Sequence, residues 1–168
     1  MIVAIDVSYN DADSTALAAA VIFHKWNDES CTHIQNIING VRPYESGFFY
    51  KRELPCIIEI LRAFNLGPED CIIVDGYVDL EPGHQGLGRY VYDYYDKIIP
   101  VIGVAKTKYQ NSQALEVCRG ESKTPLYITA AGIDLKTAAN HIKQMHGPYR
   151  IPTLLKKVDQ LSRVQIAL

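Results

Sequence analysis

Residues 1–10 read MIVAIDVSYN, and the apolar run in this stretch is typical of a strand that is buried on both faces of a sheet. Asp6 interrupts this run. A second apolar run, CIIVDGY at residues 71–77, also leads into a carboxylate, Asp75. Two acids on strands that are predicted to be central need a physical cause, because a buried carboxylate is costly unless it is paired or binds a cation.

The sequence on both sides of these strands predicts the remaining elements. Residues 15–23 suit a strand, although their alanines would also suit a helix. Residues 52–64 carry apolar side chains at helical spacing. The predicted strands are 2–8, 15–23, 32–40, 71–76, 98–106 and 125–129, and the predicted helices are 52–64, 88–97, 134–145 and 151–164.

This order of elements predicts an α/β fold in one domain that covers residues 1–168. An antiparallel meander followed by parallel βαβ units gives a mixed sheet with helices on both faces. The ribonuclease H-like fold has this order, with the first strand in the centre and parallel to the fourth. In such a sheet Asp6 and Asp75 would lie side by side.

Adjacent carboxylates in a partly dry site repel each other, so either one of them takes a proton or a cation binds between them. Magnesium prefers oxygen ligands and keeps waters for a phosphate substrate. Two divalent ions can activate water for attack on a phosphodiester. The alternative is structural, because Asp6 and Asp75 would also suit turns.

Two further polar residues stand at the predicted ends of elements. Glu53 lies at or just before a helix start, where the helix dipole favours an acid. Lys106 ends an apolar strand, where it either extends to solvent or offers a cation to a phosphate. None of these four residues alone indicates a functional site. Their occurrence together at the predicted ends of elements favours one.

The composition limits the classes of function. The chain has 168 residues, 48% hydrophobic and 21% charged, and a net charge of −2, which argues against a strongly basic nucleic-acid coat. No apolar run is long enough to span a membrane, and the first residues do not resemble a signal peptide. The four cysteines lack C-x-x-C spacing, which favours reduced thiols in a cytoplasmic protein.

Six stretches resemble, in the same order, motifs of the endonuclease V family. They are IDVSY (5–9), RPYESGFFYKRELP (42–55), IIVDGY (72–77), IPVIGVAKTKY (99–109), YITAAGIDLKTA (127–138) and IPTLLKKVDQLSR (151–163). The resemblance implies a ribonuclease H-like fold and an enzyme that cleaves DNA or RNA at the second phosphodiester 3′ to inosine or deoxyinosine. It also implies Mg²⁺ or Mn²⁺ as the cofactor. We expect the protein to act as a monomer.

The same resemblance implies roles for individual residues. Asp6, Glu53 and Asp75 would hold the metal, and Lys106 would contact the scissile phosphate or the attacking water. Tyr44 in PYESG would act as a wedge that fills the gap left when the lesion base leaves the stack. Tyr9 and Gly76 would also bind the substrate, as they lie in the motifs DVSY and DG.

The chain departs from the family pattern at several positions. Ser46 replaces the second proline of PYxPG, which should loosen this loop. In the segment after DG, Val78 replaces a glycine, Glu81 a histidine and Gly83 an arginine, while His84 lies close by. A further family histidine falls near Gly132. These losses keep open an alternative in which the chain binds nucleic acid or a protein partner without catalysis.

Asp159 matches the acidic position of the family's C-terminal helix. A surface charge explains this residue equally well from the sequence.

Overall fold

The structure, a computed structural model, describes residues 1–164. Its strands are β1 (Ile2–Asn10), β2 (Thr15–Phe23), β3 (Thr32–Asn39), β4 (Cys71–Asp75), β5 (Asp79–Glu81), β6 (His84–Gln85), β7 (Val101–Ala105), β8 (Leu115–Val117) and β9 (Leu126–Ala131). Its helices are α1 (Phe49–Leu61), α2 (Leu87–Tyr94), α3 (Leu135–Gln144) and α4 (Thr153–Arg163).

Seven strands form one mixed sheet in the order β3-β2-β1-β4-β7-β9-β8, and β5 and β6 form a separate hairpin. β1 lies in the sheet interior, antiparallel to β2 and parallel to β4. β4 is parallel to β7, whereas β9 is antiparallel to both β7 and β8. The predicted meander, the parallel units and the pairing of the first and fourth strands are therefore confirmed.

Alternation of apolar side chains along β1 explains why helices cover both faces of the sheet. Val3 and Ile5 belong to the core between the sheet and the helices α1 and α2. Ile2 and Ala4 belong to the opposite core, which α3 and α4 cover. Because both faces are buried, β1 carries the nearly continuous apolar run of its sequence.

Some predicted bounds differ from the structure. α2 ends at Tyr94 rather than at residue 97, because Asp96 and Lys97 adopt positive φ values of 53° and 60°. α1 begins at Phe49, so Glu53 lies inside the helix and Pro55 is an interior residue. The strand β8 and the β5–β6 hairpin were not predicted, since strands of two or three residues carry too short a pattern.

Within residues 1–164, no helix has both the length and the apolarity needed to cross a membrane.

Candidate active site

Asp6 and Asp75 lie side by side at the centre of the sheet. The parallel register of β1 and β4 runs from Ile2 opposite Cys71 to Ile5 opposite Val74, and the two aspartates are the next residues on each strand. β4 ends at Asp75, whereas β1 continues to Asn10. The two carboxylates thus meet where the central strands β4 and β7 end, a position that α/β folds commonly use for ligands.

A narrow cleft, with a cavity volume of about 30 Å³, lies beside these acids, between the sheet and α4. Asp6, Asp75, Lys106 and Asp159 are its charged lining residues, and the rest of its described lining is apolar apart from backbone. Lys106 directly follows β7, and Asp159 comes from α4. An apolar floor below charged groups strengthens their interactions, because it lowers the local dielectric constant.

Glu53 approaches the same acids from α1, on the other side of the sheet. Its side chain is only 5% exposed, and Oε2 has no hydrogen-bond partner among the described residues. Burial raises the pKa of Glu53 to about 8, and the Asp6 and Asp75 carboxylates act in the same direction. A buried carboxylate with an unpaired oxygen therefore lies within electrostatic range of both strand acids.

Asp6 is held by the last turn of α4. Ser162 Oγ lies 2.6 Å from Asp6 Oδ2, and Ser162 is fully buried. Burial raises the pKa of Asp6 to about 6, while the Ser162 hydrogen bond lowers it and the carboxylates of Asp75 and Asp159 raise it further. The charge of Lys106, which lines the same cleft, also lowers the pKa of Asp6.

Lys106 is the basic side chain in contact with these acids. Its Nζ lies 3.3 Å from Asp75 Oδ2, and both side chains are 40% exposed. An ion pair this exposed contributes at most about 1 kcal/mol. Asp75 can therefore leave Lys106 at small cost when a stronger partner binds.

The acids do not form a closed metal cage. Within residues 1–164, no group of three or more His, Cys, Asp or Glu side chains is close enough to hold a metal ion. The set of donors nevertheless fits a divalent cation, since Mg²⁺ and Mn²⁺ prefer carboxylate oxygens. A cation would also supply the counter-charge that the unpaired Oε2 of Glu53 lacks.

The turn after Asp75 is built around two close approaches. Gly76 adopts a φ of 133°, which favours glycine, and its N–H donates to the Val104 carbonyl at 3.0 Å. Val78 N–H donates to Thr129 Oγ1 at 2.8 Å. Gly103 lies beneath this turn, where a Cβ would come within 2.6 Å of both the Gly76 carbonyl oxygen and Thr129 Oγ1.

A Gly103→Ala substitution is therefore expected to displace the turn that carries Asp75. Overpacking of this kind costs about 1–3 kcal/mol, and the loss should appear in the free energy of unfolding measured with urea. Gly67→Ala is the matched control, because its Cβ would meet only one side-chain atom, at 4.0 Å. Equal stabilities of the two variants would contradict this close approach.

The loop before α1 exposes aromatic side chains that lead, ring by ring, to Tyr9 on β1. Tyr44 is 59% exposed, and its ring centroid lies 6.2 Å from that of Phe49. Phe49 in turn lies 6.5 Å from Tyr9, and the Arg52 guanidinium lies 3.8 Å from the Tyr9 ring centroid. Tyr44 is open to a ligand, whereas the Tyr9 ring contacts protein groups and its buried hydroxyl has no described partner.

Comparison with known proteins now decides the family. The family model described as Endonuclease V matches residues 1–131. The chain belongs to the endonuclease V family. The resemblance inferred from the motifs is therefore confirmed.

Two curated relatives named Endonuclease V illustrate the similarity. The relative from Streptomyces avermitilis is 25% identical in an alignment of 180 positions, gaps included, which covers 95% of this chain and 77% of the relative. The relative from Nostoc punctiforme is 30% identical in an alignment of 142 positions, gaps included, which covers 71% of this chain and 62% of the relative.

Solved structures of endonuclease V confirm the ribonuclease H-like fold. The Streptomyces avermitilis structure has a TM-score of 0.74 and 24% identity, and the match covers 96% of this chain and 79% of that chain. The Ciona intestinalis structure, in complex with a 23mer DNA that contains an inosine followed by a ribo-adenosine, also has a TM-score of 0.74. It is 17% identical, and the match covers 96% of this chain and 83% of that chain.

The structure shows where residues that depart from the endonuclease V pattern lie and what they contact. Glu81 and His84 lie on the β5–β6 hairpin, with His84 Nδ1 3.8 Å from Glu81 Oε1 and 3.5 Å from the Tyr109 hydroxyl. Neither residue belongs to the described lining of the acidic cleft. Gly132 has a φ of 75°, and a Cβ there would lie 2.9 Å from the Tyr92 ring, so a histidine at this position would require Tyr92 to move.

The contribution of α4 to the site was not predicted from the sequence. Asp159, for which a surface charge was an equal explanation, lines the cleft, although Arg163 also lies 3.0 Å from its carboxylate. The contact of Ser162 with Asp6 was missed altogether, because 156 residues separate the two in the chain. The available signal was the i, i+3 spacing of Asp159 and Ser162, which places both on one face of a helix.

Proposed function

We propose that this endonuclease V family member is a metal-dependent endonuclease that hydrolyses a phosphodiester near inosine or deoxyinosine in DNA or RNA. The observation that carries the proposal is the convergence of Asp6, Asp75 and buried Glu53, with Lys106 beside them. Three carboxylates in electrostatic contact repel each other, so one of them holds a proton until a cation binds. The family of the chain agrees with this chemistry.

Asp6, Glu53 and Asp75 would hold Mg²⁺ or Mn²⁺. The chemistry that bound divalent cations supply is activation of water and stabilisation of charge on the phosphate. Ser162 would keep Asp6 in place through its hydrogen bond. Lys106 would exchange its contact with Asp75 for one with the substrate, where its charge would offset that of the scissile phosphate.

The choice of inosine as the target rests on the family and on the loop that carries Tyr44. A base that leaves the stack needs an aromatic group to replace it, and Tyr44 is exposed for this role. The Ciona intestinalis relative was crystallised with inosine-containing DNA. Glycine at position 76, with its positive φ, would let the backbone approach the displaced base.

We do not favour the alternative of a binding protein without catalysis. The two strand acids, the helix acid and the lysine are all retained. The replaced family positions at Glu81 and Gly132 lie outside the described lining of the cleft. We also propose that the chain acts as one domain over residues 1–168. We place it in the cytoplasm, because its four cysteines are unpaired.

The proposal is tested with a labelled oligonucleotide that contains a single inosine, incubated with the protein and Mg²⁺ or Mn²⁺. We expect one cut on the 3′ side of the inosine, no cut in a strand with adenosine at that position, and no cut in the presence of EDTA. DNA and RNA versions of the strand identify the preferred sugar. Absence of cleavage in all versions, with protein shown to be folded, would contradict the proposal.

A further inference from the structure

A second groove lies between helix α1 and the end of β3 with the residues that follow it. Its cavity volume is about 470 Å³, and its charged lining residues are Arg42, Lys51 and Arg52. No acidic residue belongs to its described lining. The groove is therefore suited to an anion.

The positive charges of this groove are largely available. Arg42 is exposed and Lys51 half-buried, and neither takes part in an ion pair within residues 1–164. Arg52 is 6% exposed and uses Nη2 to bind Asp11 at 2.9 Å. Its buried Nε has no described partner. Its guanidinium also stacks on the Tyr9 ring at 3.8 Å, so Arg42 and Lys51 are the cations that the groove offers to a ligand.

A row of aromatic rings reaches the same groove through Tyr50. Lys51 Nζ lies 3.9 Å from the centroid of Phe48, and Phe48 is 6.5 Å from Tyr50, which lines the groove. Tyr50 stacks on Tyr90 with a centroid distance of 4.0 Å. Basic grooves bordered by aromatic rings are the usual way in which proteins bind unpaired nucleic-acid strands.

The groove and the acid cluster share helix α1. Arg52 lines the groove, and Glu53, the next residue of α1, belongs to the acid cluster. A strand that occupies both places would cross this helix.

We propose that this groove holds the sugar–phosphate backbone of an unpaired stretch of the substrate strand, away from the bond that is cut. The identity of the strand as a substrate rests on the proposed function, but the groove itself is defined by Arg42, Lys51 and Arg52. Arg42 and Lys51 contact phosphates, while Tyr50 and Phe48 border the path of the bases.

The test is the salt dependence of binding, measured by fluorescence anisotropy with a labelled single-stranded inosine oligonucleotide in EDTA. The double variant Arg42→Ala/Lys51→Ala should reduce the slope of log K against log salt by about 1.4, since each lost phosphate contact removes about 0.7 for single strands. The matched control is Lys136→Ala/Lys143→Ala on α3, which removes two exposed lysines on the opposite face of the sheet. This control should leave the slope unchanged.

Equal slopes for the groove variant and the control, with both proteins folded by circular dichroism, would overturn the proposal. Stronger displacement by polyglutamate than by an unlabelled single strand would also overturn it, in favour of an acidic protein segment. Binding in EDTA is independent of cleavage, so the two proposals can fail separately. If the protein cuts inosine strands but the groove variant shows no change of slope, the proposed function stands and the groove proposal fails. If the slope changes but no strand is cut, the groove proposal stands and the proposed function fails.

Discussion

The Asp75→Asn variant should cleave an inosine-containing strand about a thousandfold more slowly than the parent protein in saturating Mg²⁺. The substitution keeps the shape of the side chain but removes the charge that, together with Asp6 and Glu53, would hold the cation. Loss of several kcal/mol of charge stabilisation corresponds to this factor. The rate of the single cut, measured with protein in excess over substrate, is the relevant quantity.

The fold should survive this substitution, because Asp75 is 40% exposed and its contact with Lys106 is weak. Glu69→Gln is the matched control, since it removes an exposed carboxylate outside the described lining of the cleft. We expect parental activity from Glu69→Gln. A rate for Asp75→Asn within tenfold of the parent would contradict the assignment of Asp75 to the metal site.

The Glu53→Gln variant should be inactive and yet more stable than the parent protein in EDTA at high pH. Glu53 has a folded pKa of about 8, above its ordinary value of 4.5, because the carboxylate is buried. Between these two values the folded protein binds a proton that the unfolded chain releases. The free energy of unfolding therefore falls as the pH rises from about 4.5 to about 8, and the full loss is present above 8.

Glutamine removes this loss because it does not ionise. At pH 9 in EDTA the variant should be more stable than the parent by roughly 2–5 kcal/mol, as measured by urea denaturation. Asp6, whose pKa is raised to about 6, should leave a smaller fall at lower pH in both proteins. Addition of Mg²⁺ at pH 8 should stabilise the parent more than the variant, because the cation binds the ionised carboxylate.

Glu59→Gln on the same helix is the control for this experiment. Glu59 is exposed, and within residues 1–164 its ion pair is with Arg62, at 3.2 Å, so its substitution should leave both the pH profile and the response to Mg²⁺ unchanged. A parent protein whose stability in EDTA is constant between pH 5 and pH 9 would show that Glu53 is not buried in the way that the structure describes.

The sequence predicted the centre of the sheet well because its signal is strong there. β1 and β4 are buried on both faces, so each carries an almost continuous apolar run that no exposed element would tolerate. Asp6 and Asp75 stand out against this background. Segment 15–23 has alanines that would also suit a helix. It forms a strand because it pairs with β1 and β3, and the local sequence does not encode this pairing.

The prediction was weaker where tertiary contacts decide. Glu53 was expected at a helix start, where the dipole would explain it. Its position inside α1 weakens this explanation, since the effect of the dipole fades after the first turn. The hydrogen bond from Ser162 to Asp6 and the closeness of Tyr92 to Gly132 arise from packing between elements that are remote in sequence. The helical spacing of Asp159 and Ser162 places both on one face of α4, but it does not specify which element that face contacts.

The central claim is that Asp6, Glu53 and Asp75 together bind a divalent cation, and anomalous X-ray diffraction from manganese-soaked crystals tests it most directly. We expect an anomalous peak beside Asp6, within coordination distance of Asp75 and Glu53, and Asp75 released from Lys106. Crystals at saturating Mn²⁺ that show no peak there, with Asp75 still paired to Lys106, would contradict the claim.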